Sequence, residues 1–312
     1  MSTVRADKPS AHAVFFGETA RGLYEKNAAG TLVGVFSHAL YADFGGEIVS
    51  FYDAAYGEVP FGVAVRDILA FLAAAEPMVG AAGVFAPGAA CIGGRTLPLE
   101  VLPAPARILP TLAPPDAGRL AQVEAYIAAH GSPRGMLELI GTNRGHAADS
   151  AAALTAAFCR GDADAAATAS VRLIGLGRGL TPSGDDYLCG FFSALLAARC
   201  AGTALPMPPE AVAGAVLAAA PARTSPISVA YLAAALGGRY CTVYAAAAAA
   251  CLGDGDFAPL ADIALKMGAS SGTDTLCGAL AAAKLLFHIS ASLCRQGSSR
   301  TPSRCGVSNA AE

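Results

Sequence analysis

Two eight-residue stretches set 88 positions apart constrain this chain more than any other feature. They are Ser183-Gly184-Asp185-Asp186-Tyr187-Leu188-Cys189-Gly190 and Ser271-Gly272-Thr273-Asp274-Thr275-Leu276-Cys277-Gly278, identical at six of eight positions. Each opens on a hydroxyl and an acid and runs on into small and apolar residues, which is the pattern of a helix start. The chain therefore builds the same helix entrance twice, and its fold must accommodate two equivalent helices.

The sequence around these copies has a helical period. Leu120, Val123 and Ile127 share one face of a helix ended by His130-Gly131, and Ser132-Pro133 restarts one with a cap residue and a proline in the first turn. Further helices are predicted over 146–159, 163–173, 185–199, 209–220, 226–236, 240–251, 257–266 and 274–292. Many are Ala-rich, which lets helices pack closely. Earlier in the chain the period is two: Val59, Phe61, Val63 and Val65 alternate with Pro60, Gly62 and Ala64, and Leu97, Leu99 and Val101 with Pro98 and Glu100. Turn residues separate these runs, as expected of half-buried antiparallel strands. The predicted fold class is α+β. An all-β, barrel- or sandwich-like region over 1–112 precedes an Ala-rich α-helical region over 113–295 that begins at the linker Ala113–Gly118, and a flexible tail fills 296–312.

Composition excludes several classes. Hydrophobic residues make up 54 % of the 312 and charged residues 14 %, so the chain is core-rich. A net charge of −3 without a basic run argues against nucleic-acid binding. The N-terminal stretch has no signal-peptide pattern. Lys284 and His288 interrupt the apolar stretch Leu276–Cys294, and Tyr240–Leu252 is too short to span a bilayer. A soluble, cytoplasmic protein without membrane contact is expected. None of the nine cysteines forms a CxxC pair, and Cys159, Cys189, Cys200, Cys241, Cys251, Cys277 and Cys294 sit in helix-like apolar stretches. Free buried thiols are expected rather than a disulfide set or a zinc site.

Three segments are candidates for chemistry. In Gly175–Asp186, "GLGRGLTPSGDD", closely spaced glycines allow a tight turn and bring backbone N–H groups to a ligand. Thr181, Ser183 and Gly184 then lead into a helix whose first turn carries Asp185 and Asp186. Unpaired N–H groups and the helix dipole suit such an entrance to an anion, with Gly177, Arg178 and Gly179 on the approach. Ordinary capping is the alternative. The spacing does not match GxGxxG, and no GK[ST] follows. The second candidate is Met267–Gly278, where Ser270, Ser271, Gly272 and Thr273 precede Asp274; duplication kept only for packing is its alternative. In the third, "ARTSPIS", Arg223 with Thr224, Ser225 and Ser228 offers directed donors to an oxyanion, or simply a solvated cap. Among the histidines, His12 is placed in a frayed start, His38 in a strand and His288 at a core or rim position. His146, with Asn143-Arg144 beside it, is the one near a helix start in the second region. No Ser-His-Asp order or HExxH pattern assigns it chemistry.

Taken together and in this order, "GLGRGLTPSGDD", "TSPIS" and "SSGTD" after a β-rich beginning resemble a bacterial family whose best-understood relative is one subunit of the three-subunit oxamate carbamoyltransferase of anaerobic allantoin catabolism. The resemblance covers most of the chain. It implies a transferase subunit in purine catabolism that moves a carbamoyl group between an oxamate-type acceptor and phosphate. Carried over by position, Gly177, Gly179, Thr181, Ser183, Gly184, Asp185 and Asp186 match the first motif, Thr224, Ser225 and Ser228 the second, and Ser271, Gly272 and Asp274 the third. Arg178 stands where the family more usually has proline, and Ala269 where it often has histidine. Small anions such as carbamoyl phosphate and oxamate, together with other protein subunits, are the partners implied.

No cofactor is required on this reading; magnesium is the one ion that Asp185, Asp186 and Asp274 could take. Two alternatives stay open. One is a magnesium-dependent hydrolase similar to all-α ADP-ribosyl hydrolases, in which paired motifs on helix starts hold metals; here Gly184 and Tyr187 replace the flanking threonines. The other is a non-catalytic structural subunit of the same complex. The sharpest expectation concerns the two copies, whose entrances should face each other across one shared anion pocket with Asp186 and Asp274 turned to the ligand.

Overall fold

A computed structural model describes residues 11–100, 112–113, 115–141 and 145–298, with side chains through 291. Asn143-Arg144, Val101, Pro114 of the predicted linker, the Cys294 side chain and residues 299–312 of the predicted tail lie outside what is described. The first part is one eight-stranded sheet: β1 (His12–Phe16), β2 (Ala29–Val35), β3 (Ala39–Asp43), β4 (Ile48–Asp53), β5 (Gly62–Arg66), β6 (Ala82–Ala86), β7 (Ala89–Ile92) and β8 (Arg95–Pro98). The strand order is β1-β5-β4-β3-β2-β6-β7-β8, and the two edges approach each other, so the sheet curls into a nearly closed barrel. The local sequence sets the turns. Gly93 and Gly94 both adopt positive φ (56° and 79°) between β7 and β8, the backbone of a two-residue hairpin whose twist matches the strands. The α-helices α1 (Glu18–Glu25) and α2 (Ile68–Ala75) pack Leu23, Ile68 and Phe71 into the barrel's core with Phe16, Phe51 and Phe85.

The barrel departs from the alternating antiparallel pattern at one place. β4 and β5 pair in parallel, with Ser50 opposite Gly62 and Phe51 opposite Val63. Parallel neighbours normally need a crossover of a dozen or more residues. Here the segment 54–61 makes the crossing by leaning on the helical part. The Glu58 N–H donates to Thr242 Oγ1 at 2.7 Å, and the Thr242 N–H donates to the Glu58 carbonyl at 2.9 Å. Val59 and Phe61 therefore belong to this crossover rather than to a strand, and β4 and β5 are buried on both faces rather than half-buried. Val49, Phe51 and Val63 fill the barrel, whereas Ile48, Tyr52 and Ala64 join the core of the helical part. His12 is paired with Arg66 at the start of β1, not in a frayed end. His38 lies in the turn before β3, and His288 is exposed.

The helical part comprises α3 (Ala117–His130), α4 (Met136–Gly141), α5 (His146–Arg160), α6 (Ala163–Leu173), α7 (Ser183–Cys200), α8 (Ala213–Ala219), α9 (Pro226–Leu236), α10 (Thr242–Leu252), α11 (Ala258–Leu265) and α12 (Ser271–Ser298). The predicted 209–220 helix is split into 3-10 turns on either side of α8. Capping follows the sequence closely: Asp116 and Asp162 accept the backbone N–H groups of Arg119 and Ala165 at the starts of α3 and α6. At the centre lie α7, buried along every residue from Ser183 to Ala198, and α12 packed against it. Cys159 and Cys200 are exposed, unlike the buried thiols predicted there, while Cys189, Cys241 and Cys251 are buried. Surface helix ends leave even a short apolar side chain in water. Among the described residues no helix is long and apolar enough to cross a membrane.

Candidate functional site

The duplicated entrances meet at the centre of the helical part as a pseudo-two-fold pair. A Cβ on Gly190 of α7 would lie 2.0 Å from the Thr275 carbonyl oxygen, and one on Gly278 of α12 would lie 1.9 Å from the Tyr187 carbonyl oxygen. Gly190 and Gly278 are equivalent in the two copies, as are Tyr187 and Thr275, so the crossing is symmetric. The earlier glycine of each copy does the same against its preceding helix: Gly184 under Leu173 of α6, Gly272 under Ala264 of α11. The repeated glycines are thus the places where backbone touches backbone.

The polar residues cross over as well. Asp274 lies beside the Ser183 hydroxyl of the other copy and Asp186 beside the Ser271 hydroxyl, while Asp186 Oδ2 and Asp274 Oδ2 are buried without a hydrogen-bond partner. Thr181 Oγ1 and Ser271 Oγ are 3.0 Å apart and close the gap above Asp186. Asp186 and Asp274 are 1 % and 0 % exposed. They therefore lie beneath the junction of the helix starts, and the open face predicted for them belongs to the loops above.

Each remaining motif residue has a specific partner. Asp185 Oδ1 accepts the Gly175 N–H at 2.9 Å, while Oδ2 accepts the Ser228 hydroxyl at 2.7 Å and the Thr224 hydroxyl. Ser225 caps α9 by accepting the Ser228 N–H and donates its own hydroxyl to the Leu180 carbonyl. The "TSPIS" segment and Asp185 together brace the glycine loop. Arg223 is exposed, and its backbone carbonyl faces Gly175. In the second copy, Thr273 Oγ1 accepts the Ser132 N–H and Asp274 Oδ1 accepts the Met136 N–H at 2.6 Å. That bond starts α4 three residues after the predicted Ser132-Pro133 restart, because the cap is a buried aspartate from a distant helix.

Most N–H groups of the two first turns are already used. Gly184 donates to the Leu176 carbonyl, Asp185 and Asp186 to Pro182, Gly272 to Met267 and Asp274 to Ser270. An anion must therefore be met by the loops. Gly177, Arg178 and Gly179 are exposed. A Cβ on Gly177, whose φ is 110°, would lie 2.8 Å from the Ser183 nitrogen, so only glycine lets the loop lie this close to the helix start. On one side this loop borders a cleft lined by Gly177, Arg178, Gly179, Ser183 and Ser270, facing Arg134 and Glu138. On the other it closes a cavity of about 440 Å³ against the barrel. Arg134 and the barrel side of that cavity carry no linear motif, so nothing in the sequence marked them. His146 starts α5 at an exposed position and lines neither space.

Electrostatics follow burial. Asp186 is pushed well above the usual carboxylate range, chiefly by desolvation and further by the nearby Asp274 and Asp185, against the pull of Ser271 and Thr181. Asp185 is also raised by burial, against the pull of Thr224, Ser228 and Gly175. Asp274 is raised from 3.8 to about 6 by burial, with Met136, Ser183 and Ser270 opposing. The three aspartates turn to separate partners, and among the described residues no group of three His, Cys, Asp or Glu side chains is placed to hold a metal ion. A three-aspartate magnesium site does not fit this arrangement.

The Asp274 value sets a pH dependence. Its folded pKa lies above the unfolded one, so the folded state binds the proton more tightly. The stabilisation this brings is fully present below pH 4 and is lost as pH rises through about 6. Relative to Asp274→Asn, which does not titrate, the wild type should lose about 2 kcal/mol between pH 4 and pH 7. Urea midpoints of both proteins across that range measure it. Parallel profiles would show that Asp274 is not the titrating group.

Residues 173–283, the stretch that contains all three motifs, match the family model described as oxamate carbamoyltransferase subunit AllH. The match covers about a third of the chain and supports the family that the motifs indicate. Neither a curated protein nor a solved structure matches the chain.

Proposed function

We propose that, within an oxamate carbamoyltransferase-like assembly, this chain binds a small anion, carbamoyl phosphate or oxamate, in the cleft between the glycine loop and the segment 132–138. The observation that carries the reading is the convergence of Arg178 and Arg134, from loops far apart in sequence, with the Ser183 and Ser270 hydroxyls and the peptide edge of Gly177–Gly179. Guanidinium, hydroxyl and peptide donors together suit a carboxylate or phosphate. Glu138, on the same cleft, suits the NH2 of a carbamoyl group, which needs an acceptor. Carbamoyl transfer from a carbamoylated oxamate to phosphate breaks a C–N bond, forms a C–O bond to phosphate and returns a proton to the oxamate nitrogen. In the proposal this chain's residues bind and orient the anion for that exchange. The buried Asp185, Asp186 and Asp274 hold the loops in place beneath it, a positioning role.

The test is calorimetric titration of the assembled complex with carbamoyl phosphate, phosphate and oxamate. Arg178→Ala and Arg134→Ala should each weaken binding of at least one of these anions by about tenfold or more, the size of a lost charge-assisted hydrogen bond. Unchanged affinities in both variants, with the fold intact by circular dichroism, would remove the cleft from the mechanism.

A further inference from the structure

The cavity on the barrel side of the glycine loop is a different space from the anion cleft, and its walls are of a different kind. Six rings border it: Phe36, His38, Tyr41, Tyr52 and Tyr56 from the barrel and Tyr231 from α9. They are mutually braced. Phe36 and Tyr41 meet edge to face at 5.7 Å, His38 and Tyr56 at 6.3 Å, and the Tyr41 and Tyr231 hydroxyls are 3.4 Å apart. The Tyr52 hydroxyl is committed to the Gly57 carbonyl and the Val59 N–H, which leaves its ring to face a ligand. One end is polar, formed by Arg178 with the Thr181 and Ser271 hydroxyls. At about 440 Å³ the cavity falls within the roughly 300–1,000 Å³ of small-molecule sites, which are mostly apolar with a few polar groups that fix orientation.

We infer that this cavity is a binding site for a planar aromatic acid, with its ring between the barrel aromatics and its acidic group toward Arg178, Thr181 and Ser271. Aromatic walls favour offset or edge-on packing against a flat ring. Arg178, the one Lys or Arg in the lining, and the hydroxyls beside it set where the acidic group sits, and the Glu58 carboxylate elsewhere in the lining repels an acid from its own position. The barrel half of the site lies outside the family-matched stretch 173–283. The inference goes beyond the proposed anion cleft: the two spaces share Arg178, Gly179 and Ser270 at their border, and the barrel rings on one side and Arg134 on the other distinguish them.

The probe is 2-naphthoate, titrated calorimetrically into the full-length protein, with acetate as the ringless control. Saturable one-to-one binding of naphthoate and none of acetate is expected. Phe36→Ala and Tyr56→Ala, both on the solvent side of the cavity, should each weaken naphthoate by about threefold to tenfold, the range of one aromatic pair. Arg134→Ala, which alters only the anion cleft, should leave naphthoate binding unchanged. Absence of saturable binding at millimolar naphthoate overturns the inference. So does equal binding of acetate, or an affinity unaffected by both ring deletions. Loss of naphthoate in Arg134→Ala would place the ring in the cleft and overturn it as well, whatever the anion titrations show.

Discussion

Gly278→Ala is expected to destabilise the protein by about 3 kcal/mol or more, with Gly190→Ala behaving alike. The added methyl of the first would sit 1.9 Å from the Tyr187 carbonyl and that of the second 2.0 Å from the Thr275 carbonyl. Both obstacles are backbone, so no side chain can swing aside and the two central helices must separate. Because α7 is buried on every side, that separation loosens the packing of its neighbours too. Gly214 is the matched control. It lies exposed in α8 with nothing within 4 Å of a would-be Cβ, and alanine there should be neutral or stabilising by roughly 0.5–1 kcal/mol through helix propensity. Urea denaturation followed by circular dichroism measures all three. If Gly278→Ala and Gly214→Ala unfold at the same midpoint, the close crossing does not exist.

Asp185→Ala is the second large effect. One carboxylate satisfies the Gly175 N–H and the Thr224 and Ser228 hydroxyls, and it is 1 % exposed. Removing it strands several donors in a dry place, at about 1–3 kcal/mol for each buried group left unmade. Hydroxyls can rotate toward an alternative acceptor, so a total of about 3–5 kcal/mol is expected rather than the full sum. Asp185→Asn keeps the shape and one acceptor and should fall between wild type and alanine. Asp149→Ala, at an exposed position of α5, supplies the baseline. A stability for Asp185→Ala equal to that baseline would mean that the carboxylate is not the brace of the glycine loop. Loss of transfer activity with stability intact would instead make Asp185 a group that acts on substrate.

Much of the architecture was legible because it rests on local interactions. The spans of α5, α6 and α9 follow from caps and periodicity nearly to the residue, since Asp162 and Ser225 cap their own helices. The β-rich, barrel-like character of the first part was legible for the same reason, but the two-sided burial of β4 and β5 and their parallel pairing were not. Alternation reports which face of a strand is buried, not the direction of its neighbour, and the short crossover is held by Thr242, far along the chain. α1 and α2 also escaped the period-two reading, as short helices covering a barrel do. Within the site, the motif residues were legible as a set, but their division of labour was not. Arg134 and the cavity's ring residues carry no spacing signal because they reach the loops only through folding.

The sequence by itself determines that two equivalent helices follow the Ser183 and Ser271 entrances, read as 185–199 and 274–292, because a small residue and an acid at the start of an apolar run favour a helix wherever the rest of the chain goes. It also determines that both must carry glycine twice, at the same spacing. Only the tertiary structure decides what those features are for. The glycines become contact points because α7 and α12 cross backbone to backbone. Asp186 and Asp274 turn from exposed ligand candidates into buried braces because each meets the other copy's serine beneath the packed helix starts. Burial is a property of everything packed around a carboxylate, and a stretch of eight residues does not contain its own surroundings.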